Sequence, residues 1–328
     1  MKLMKYISRL MSILACLHLW SCDVHEFPYP LEEDSNTAFI LHLDYDMDIP
    51  FYKTIECTED ARAVENQKYD VRYIVKVYPK ESDGDSKELY SYVFTKDDVA
   101  ELDNSVTLNL KNGNYKFMVW TDYVTEGSDE DYFYNTKAFD EISLKEGESY
   151  QGNSNLKDAF QGKVESEVSS QVTEARIAME RPVAKIKFVS TDMDTFMSEI
   201  ADAALTINDF KVVFRYQGYF LNAYNMHTNK LSGSITDKVF ESTLTKISDI
   251  EVEMGFDYVF AESLDSSVYV TIEICDKDGN VISSFKMVEV PVICGKQTTV
   301  MAKFMSSQSG SGATIDPDYN GDINIEIK

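Results

Sequence analysis

The sequence predicts a mainly β protein: two tandem antiparallel β-sandwich domains, with one helix packed on the second. Three observations lead there. Period-two alternation recurs between residues 38 and 304, as where Val71, Tyr73, Val75 and Val77 alternate with Arg72 and Lys76. Turn-forming clusters separate the short runs, among them Lys111-Asn112-Gly113 and Asp276-Lys277-Asp278-Gly279-Asn280. The best helix candidate is 191–204, where Met193, Phe196, Met197, Ile200 and Ala204 recur at three- and four-residue spacing.

Taken in order, the chain opens with a cationic, then apolar, then polar segment. Lys2, Lys5 and Arg9 precede an apolar run over 10–20 that stops at Ser21-Cys22. That is the anatomy of an export signal, too short to hold a bilayer as a stable span. Leu19, Trp20 and Ser21 resemble a lipobox, in which the thiol of Cys22 is acylated and becomes the first residue of the mature chain. Trp20 is bulkier than the small residue usual there. Ile13-Leu14-Ala15-Cys16 fits a lipobox too, but cleavage there leaves an apolar core of only 10–15 and an apolar mature tip. Cys22 is therefore the favoured lipidation site, with 1–21 as signal peptide and 22–37 as a polar, proline-bearing tether.

Residues 38–178 read as the first sandwich. Strand patterns fall at 38–43, 71–77, 105–110 and 114–121, and Asn112-Gly113 between the last two reads as a hairpin turn. Thr95-Lys96-Asp97-Asp98 reads as a cap for one helical turn. The stretch 125–155 is loop-rich, and its scattered Tyr132, Phe133, Tyr134 and Tyr150 read first as packing and second as a glycan platform. Residues 179–305 read as the second sandwich. Its strands are expected at 183–190, 205–216, around Tyr258, and at 268–275, 281–290 and 292–304, with Asp192 or Asp194 capping the helix. Residues 306–328 are a Gly/Ser linker followed by a terminal strand that alternates Ile323, Ile325 and Ile327.

Composition narrows the function. The 328 residues carry a net charge of −25, and removing 1–21 takes away three positive charges, leaving −28 on 307 residues. A body so acidic repels nucleic acid and anionic headgroups. No later apolar stretch approaches 18 residues, which leaves the lipid as the expected membrane attachment. Cys57, Cys275 and Cys294 are too few for a disulfide scaffold. Cys275 and Cys294 pair if their strands are neighbours, while the odd count favours buried free thiols.

The histidines His25, His42 and His227 are far apart, and no HExxH, GxSxG, P-loop or GxGxxG occurs, so no enzyme is expected. A carboxylate pair for glycoside hydrolysis would form only in three dimensions. Asp316-Pro317-Asp318-Tyr319-Asn320-Gly321-Asp322 places oxygen ligands at alternate positions before a glycine, as a calcium loop does. Position 12 from Asp316 is Ile327, without the bidentate Glu of an EF-hand, so a polar turn is the default and Ca2+ at Asp316, Asp318, Asn320 and Asp322 the alternative.

Several stretches together resemble the fimbrial anchor and minor-fimbrillin lipoproteins of the Bacteroidota. They are the lipobox cysteine with its Asp and the His-Glu-Phe-Pro tether, VRYIVKVYP, NLKNGNYKFMVWTDYV, RPVAKIKFVSTD and PDYNGDINIEI. The resemblance implies transthyretin-like sandwiches on a surface lipid anchor, and Asp23 and Glu26 look like the export mark for the outer leaflet. In that family subunits polymerise by strand complementation after an arginine-directed cleavage, whereas the anchor keeps its lipid. Arg181 lies at the domain junction, so no such cleavage is carried over to it. The expected role is an outer-membrane lipoprotein that anchors or assists fimbriae and binds neighbouring subunits through strand edges. The alternative is a surface glycan-binding lipoprotein of a polysaccharide-uptake system.

Overall fold

Alternation puts Phe39, Leu41 and Leu43 of β1 (Thr37–Tyr45) on one face, none more than 1% exposed. The same rule builds β2 (Tyr69–Pro79), β3 (Tyr90–Lys96), β4 (Ser105–Leu110) and β5 (Gly113–Thr125). After the short β6 (Tyr134–Asn135) and β7 (Ile142–Leu144) come β8 (Phe160–Val168) and β9 (Glu174–Met179). The computed structural model describes residues 36–46, 69–81, 87–96, 103–145, 149–200, 204–262, 266–306, 314–315 and 322–326.

Two sheets, ordered β3-β2-β5-β8 and β4-β1-β9, face one another across an apolar core. Phe39 of one stacks on Phe117 of the other, with ring centres 5.1 Å apart. Pairing is antiparallel except between β1 and β9, which run parallel.

The predicted hairpin at Asn112-Gly113 is not one. β4 pairs with β1, and β5 with β2 and β8, so this link crosses from one sheet to the sheet facing it. A type I′ turn needs positive φ at both central residues, and neither Asn112 nor Gly113 has it. Tyr115 holds the corner instead, its hydroxyl donating to Lys111 O at 3.0 Å. Thr95 and Lys96 belong to β3 rather than to a helical cap, and 97–102 lie outside the described residues.

Beyond Pro182 come β10 (Val183–Ser190), α1 (Met193–Glu199), β11 (Lys211–Gln217), β12 (Ala223–Asn225), β13 (Lys230–Ser232) and β14 (Val239–Thr243). They are followed by β15 (Thr245–Lys246), β16 (Val252–Phe260), β17 (Ser266–Cys275), β18 (Val281–Val292) and β19 (Gln297–Ala302). Last are β20 (Thr314–Ile315) and β21 (Asp322–Glu326). A sheet ordered β15-β16-β10-β19-β21-β20 faces one ordered β14-β11-β17-β18, and Phe188 of the first packs on Phe214 of the second at 4.9 Å. The hairpin expected at 276–280 is present: Cys275 pairs with Val281, and the Asp276 carboxylate accepts from the backbone N–H of Asp278 and Asn280.

Two expectations need correction here. The helix is shorter than 191–204, because Ile200 is already extended and only Met193 and Phe196 are buried. Asp192 is its N-cap but makes no side-chain cap bond; its carboxylate instead accepts from Ser190 Oγ at 2.5 Å and from Ser306 N at 2.7 Å, pinning the helix start to the end of β19. The strand expected from 205 begins at Lys211, because Thr206 and Asp209 close a capping box over the 3-10 turn Ile207–Asp209.

The two halves meet in a small sheet ordered β13-β12-β7-β6, where Ala223 pairs with Ser143 and Tyr224 with Ile142. Tyr134 sits under it, its ring edge-on to Trp120 at 5.3 Å and tilted against Phe260 at 5.6 Å.

Candidate functional site

The first sandwich is closed on one side and open on the other. On the closed side β8 and β9 lie together, and Gln161 and Glu180 exchange two backbone hydrogen bonds of 2.8 Å. Gly162 permits this approach, since a Cβ there would come within 2.4 Å of Ala178 O. On the open side β3 pairs only with β2 and β4 only with β1, among the described residues. Between these free edges runs a half-buried aromatic ladder. Tyr90 stacks on Tyr92 at 6.3 Å, and Tyr92 on Phe94 at 6.2 Å. Tyr92 Oη donates across the gap to Asn109 O at 2.9 Å. A sheet edge flanked by half-exposed aromatics offers both backbone pairing and apolar contact to another strand.

The outer face of β2, expected to be the polar side of an amphipathic strand, is also covered. Segment 129–145 folds over it, leaving Arg72 2% and Lys76 6% exposed. Arg72 forks onto Asp122 with bonds of 2.9 and 2.7 Å and reaches Asp131 at 3.0 Å. Burial alone would lower the Arg72 pKa, but Asp122 and Asp131 hold it above its ordinary value. Lys76 Nζ donates to Lys137 O at 2.6 Å and lies 4.7 Å from the centre of the Phe139 ring. Burial depresses its pKa. Beside the two cations opens a groove of about 1020 Å³, floored by Ile74, Val93 and Leu144.

A joint of buried charge lies where the halves meet, and no periodicity announces it. The 3-10 turn Asn155–Lys157 and its C-cap Asp158 supply the polar side chains Asn155, Lys157 and Asp158. Asn155 Oδ1 accepts from Lys185 Nζ at 3.0 Å. Lys157 Nζ pairs with Asp257 Oδ1 at 2.5 Å and donates to Tyr150 Oη at 2.9 Å. Tyr150 and Tyr216 donate to the other Asp257 oxygen at 2.7 and 2.8 Å. Arg181 Nε and Nη2 fork onto Asp158 at 2.8 and 3.0 Å, while Nη1 reaches Asp46 O at 2.9 Å. Arg181 is 1% exposed, which closes it to a protease in this fold. The signal in the sequence is an acid flanked by aromatic residues, Asp257 within the run GFDYVF.

The remaining candidates fall as follows. Cys22, His25, Cys57, Asp316, Asp318, Asn320 and Ile327 lie outside the described residues. Asp322, Ile323 and Ile325 are in β21, which pairs parallel with β19, Thr298 opposite Ile323 and Val300 opposite Ile325. Cys275 and Cys294 are free thiols; Cys294 Sγ donates to Arg181 O at 2.5 Å, and burial pushes its pKa up to about 12. Phe133 and Tyr134 are 8% and 0% exposed, which removes the tyrosine patch at 132–134 as a sugar platform. Trp120 is fully buried, His42 pairs with exposed Glu174 at 3.1 Å, and His227 packs edge-on to Tyr78. Among the described residues no group of three His, Cys, Asp or Glu is placed to hold a metal, and no helix is long and apolar enough to cross a membrane.

Comparison with known proteins gives a family and a set of similar structures. The model of a family described as "Family of unknown function (DUF6562)" matches residues 32–328. No curated protein matches. A Bacteroides thetaiotaomicron protein with a provisional adhesin description is 14% identical, with 78% of this chain and 81% of that chain covered at a TM-score of 0.45. The fimbrial anchor protein Mfa2 from Porphyromonas gingivalis is 14% identical, with 76% and 82% covered at 0.41. A fimbrial assembly protein from Parabacteroides distasonis is 12% identical, with 82% and 91% covered at 0.40.

Proposed function

We propose that this chain, which belongs to the DUF6562 family of unknown function, is a non-catalytic, surface-anchored subunit that binds its neighbours through sheet edges. The observation that carries the reading is the lopsided first sandwich, sealed between β8 and β9 and open between β3 and β4 along the ladder of Tyr90, Tyr92 and Phe94. An unpaired edge is a template for another strand. The resemblance of the sequence to fimbrial anchor lipoproteins supplies the class of neighbour, and Cys22 the attachment to the outer membrane. An acylated cysteine with more than one chain is enough for stable anchoring.

The terminal strand is the piece we assign to sheet addition, either in cis, as β21 lies on β19, or in a neighbour. Deleting 314–328 is expected to abolish co-purification with fimbrial subunits, and unchanged recovery removes that role. Radiolabelled palmitate is expected to enter the wild type and not Cys22→Ala. Equal labelling moves the anchor away from residue 22.

A further inference from the structure

Arg72, Ile74 and Lys76 stand two residues apart on one face of β2, the face turned away from the sandwich core. Their pairing partners on β3 are Thr95, Val93 and Ser91, so the groove floor is an apolar stripe of Ile74 and Val93 with a cation on either side. Arg72 is neutralised by two carboxylates. Lys76 is not: although only 6% exposed, it has no carboxylate within ion-pair distance among the described residues. An ammonium carries three donors, and Lys137 O takes one of them. A buried ammonium with no counter-charge in contact is costly, and Lys76 lines the groove of about 1020 Å³.

We propose that this groove binds an oligosaccharide bearing a carboxylate, with the acid group on Lys76 and the sugar hydroxyls on Asn135, Asn222 and Ser143. The amide side chains supply donors and acceptors side by side, as adjacent hydroxyls require. A volume of about 1020 Å³ is at the top of the range for small-molecule sites, with room for more than one ring. Glu88, Asp129, Glu130 and Glu141 also line the groove and outnumber the other lining cations, Lys137 and Lys145, which leaves a weakly negative field at its rim. That field turns away polyanions and admits a ligand whose single charge reaches Lys76. Burial depresses the Lys76 pKa, and Glu88 and Asp140 offset this only from beyond ion-pair distance, which leaves the ammonium without a carboxylate in contact. The groove takes in Ser91 and Val93 on the outer face of β3, the face opposite Tyr90, Tyr92 and Phe94, so a sugar bound there leaves the aromatic ladder free, and its failure leaves the assembly reading untouched.

Titration calorimetry on the chain from residue 23 onward tests it. The probes are a glucuronic-acid-terminated trisaccharide, its carboxyl-reduced counterpart, sialyllactose, lactose and hexaglutamate. At least one acidic sugar is expected to bind about tenfold or more tightly than its neutral counterpart, and the two pairs distinguish uronic from sialic acid. Lys76→Met, with its melting curve as a check on folding, is expected to erase that preference. Lys96→Met, which removes the partner of Asp103 instead, is expected to keep it. Equal binding of acidic and neutral sugars overturns the proposal. So does saturable heat from hexaglutamate alone, or none from either acidic sugar at millimolar concentration.

Discussion

Two regions of this molecule bury lysine and treat its charge in opposite ways. At the joint, Lys157 has Asp257 at 2.5 Å, and that carboxylate is completed by two tyrosine hydroxyls and the N–H of Tyr258. At the groove, Lys76 has a carbonyl and a ring. Burial depresses both lysines; Asp257 pushes back on Lys157 from hydrogen-bond distance, whereas Glu88 and Asp140 push back on Lys76 only from beyond ion-pair distance. The first arrangement is a closed circuit that holds two sandwiches together. The second leaves donors for something else. A buried cation therefore reads as structural or as a binding group according to whether its counter-charge lies inside the fold.

The contrast breaks most visibly at the joint. Lys157→Met strands Asp257, which is fully buried, and is expected to cost about 3–5 kcal/mol in urea unfolding. A loss under about 1 kcal/mol would mean that the tyrosines satisfy the carboxylate alone. Asp158→Asn keeps the shape and removes the charge opposite Arg181, whose guanidinium also lies over the Phe160 ring at 4.4 Å. The expected loss is smaller, about 2–3 kcal/mol, because Asp46 O and the ring remain. Lys76→Met is expected to change stability by less than about 1 kcal/mol in either direction, since no buried acid loses its partner. Matching losses for Lys157→Met and Lys76→Met would erase the distinction.

What the sequence conveyed, and what it did not, divides along the same line. Strands such as 71–77, 105–110 and 183–190 were readable because period-two alternation is local and burial of one face enforces it. The outer face of β2 was not, because Arg72 and Lys76 look like solvent-facing residues until segment 129–145 folds over them. Asn112-Gly113 misled for a related reason: a turn dipeptide reports a chain reversal, not which sheet receives the next strand. The joint joins Lys157 to Asp257 and Asp158 to Arg181 across separations of 100 and 23 residues. No window of sequence spans the first of these pairs.

The smallest expected effect tests the same idea through pH. Lys185 donates to the neutral Asn155 and lies 4.4 Å from the Phe256 ring; burial brings its pKa down to about 8 from an ordinary 10.5. Below pH 8 the folded and unfolded states both hold the proton, and the penalty for burying the charge is constant. Above pH 8 the folded state releases it while the unfolded state keeps it, so stability rises with pH. Cys294 acts in reverse, because its thiol is held neutral up to about 12 in the fold while the unfolded thiol ionises near its ordinary 9. The clean window is therefore pH 8 to 9. One proton contributes at most about 1.4 kcal/mol per pH unit, and Lys157 and Lys76, also depressed, contribute with the same sign. Urea unfolding at the two pH values is expected to show wild type gaining roughly 0.5–1 kcal/mol more than Lys185→Met. Parallel changes in the two proteins would mean that Lys185 is already neutral below pH 8, or that water reaches it, and either result would take it out of the set of uncompensated buried cations.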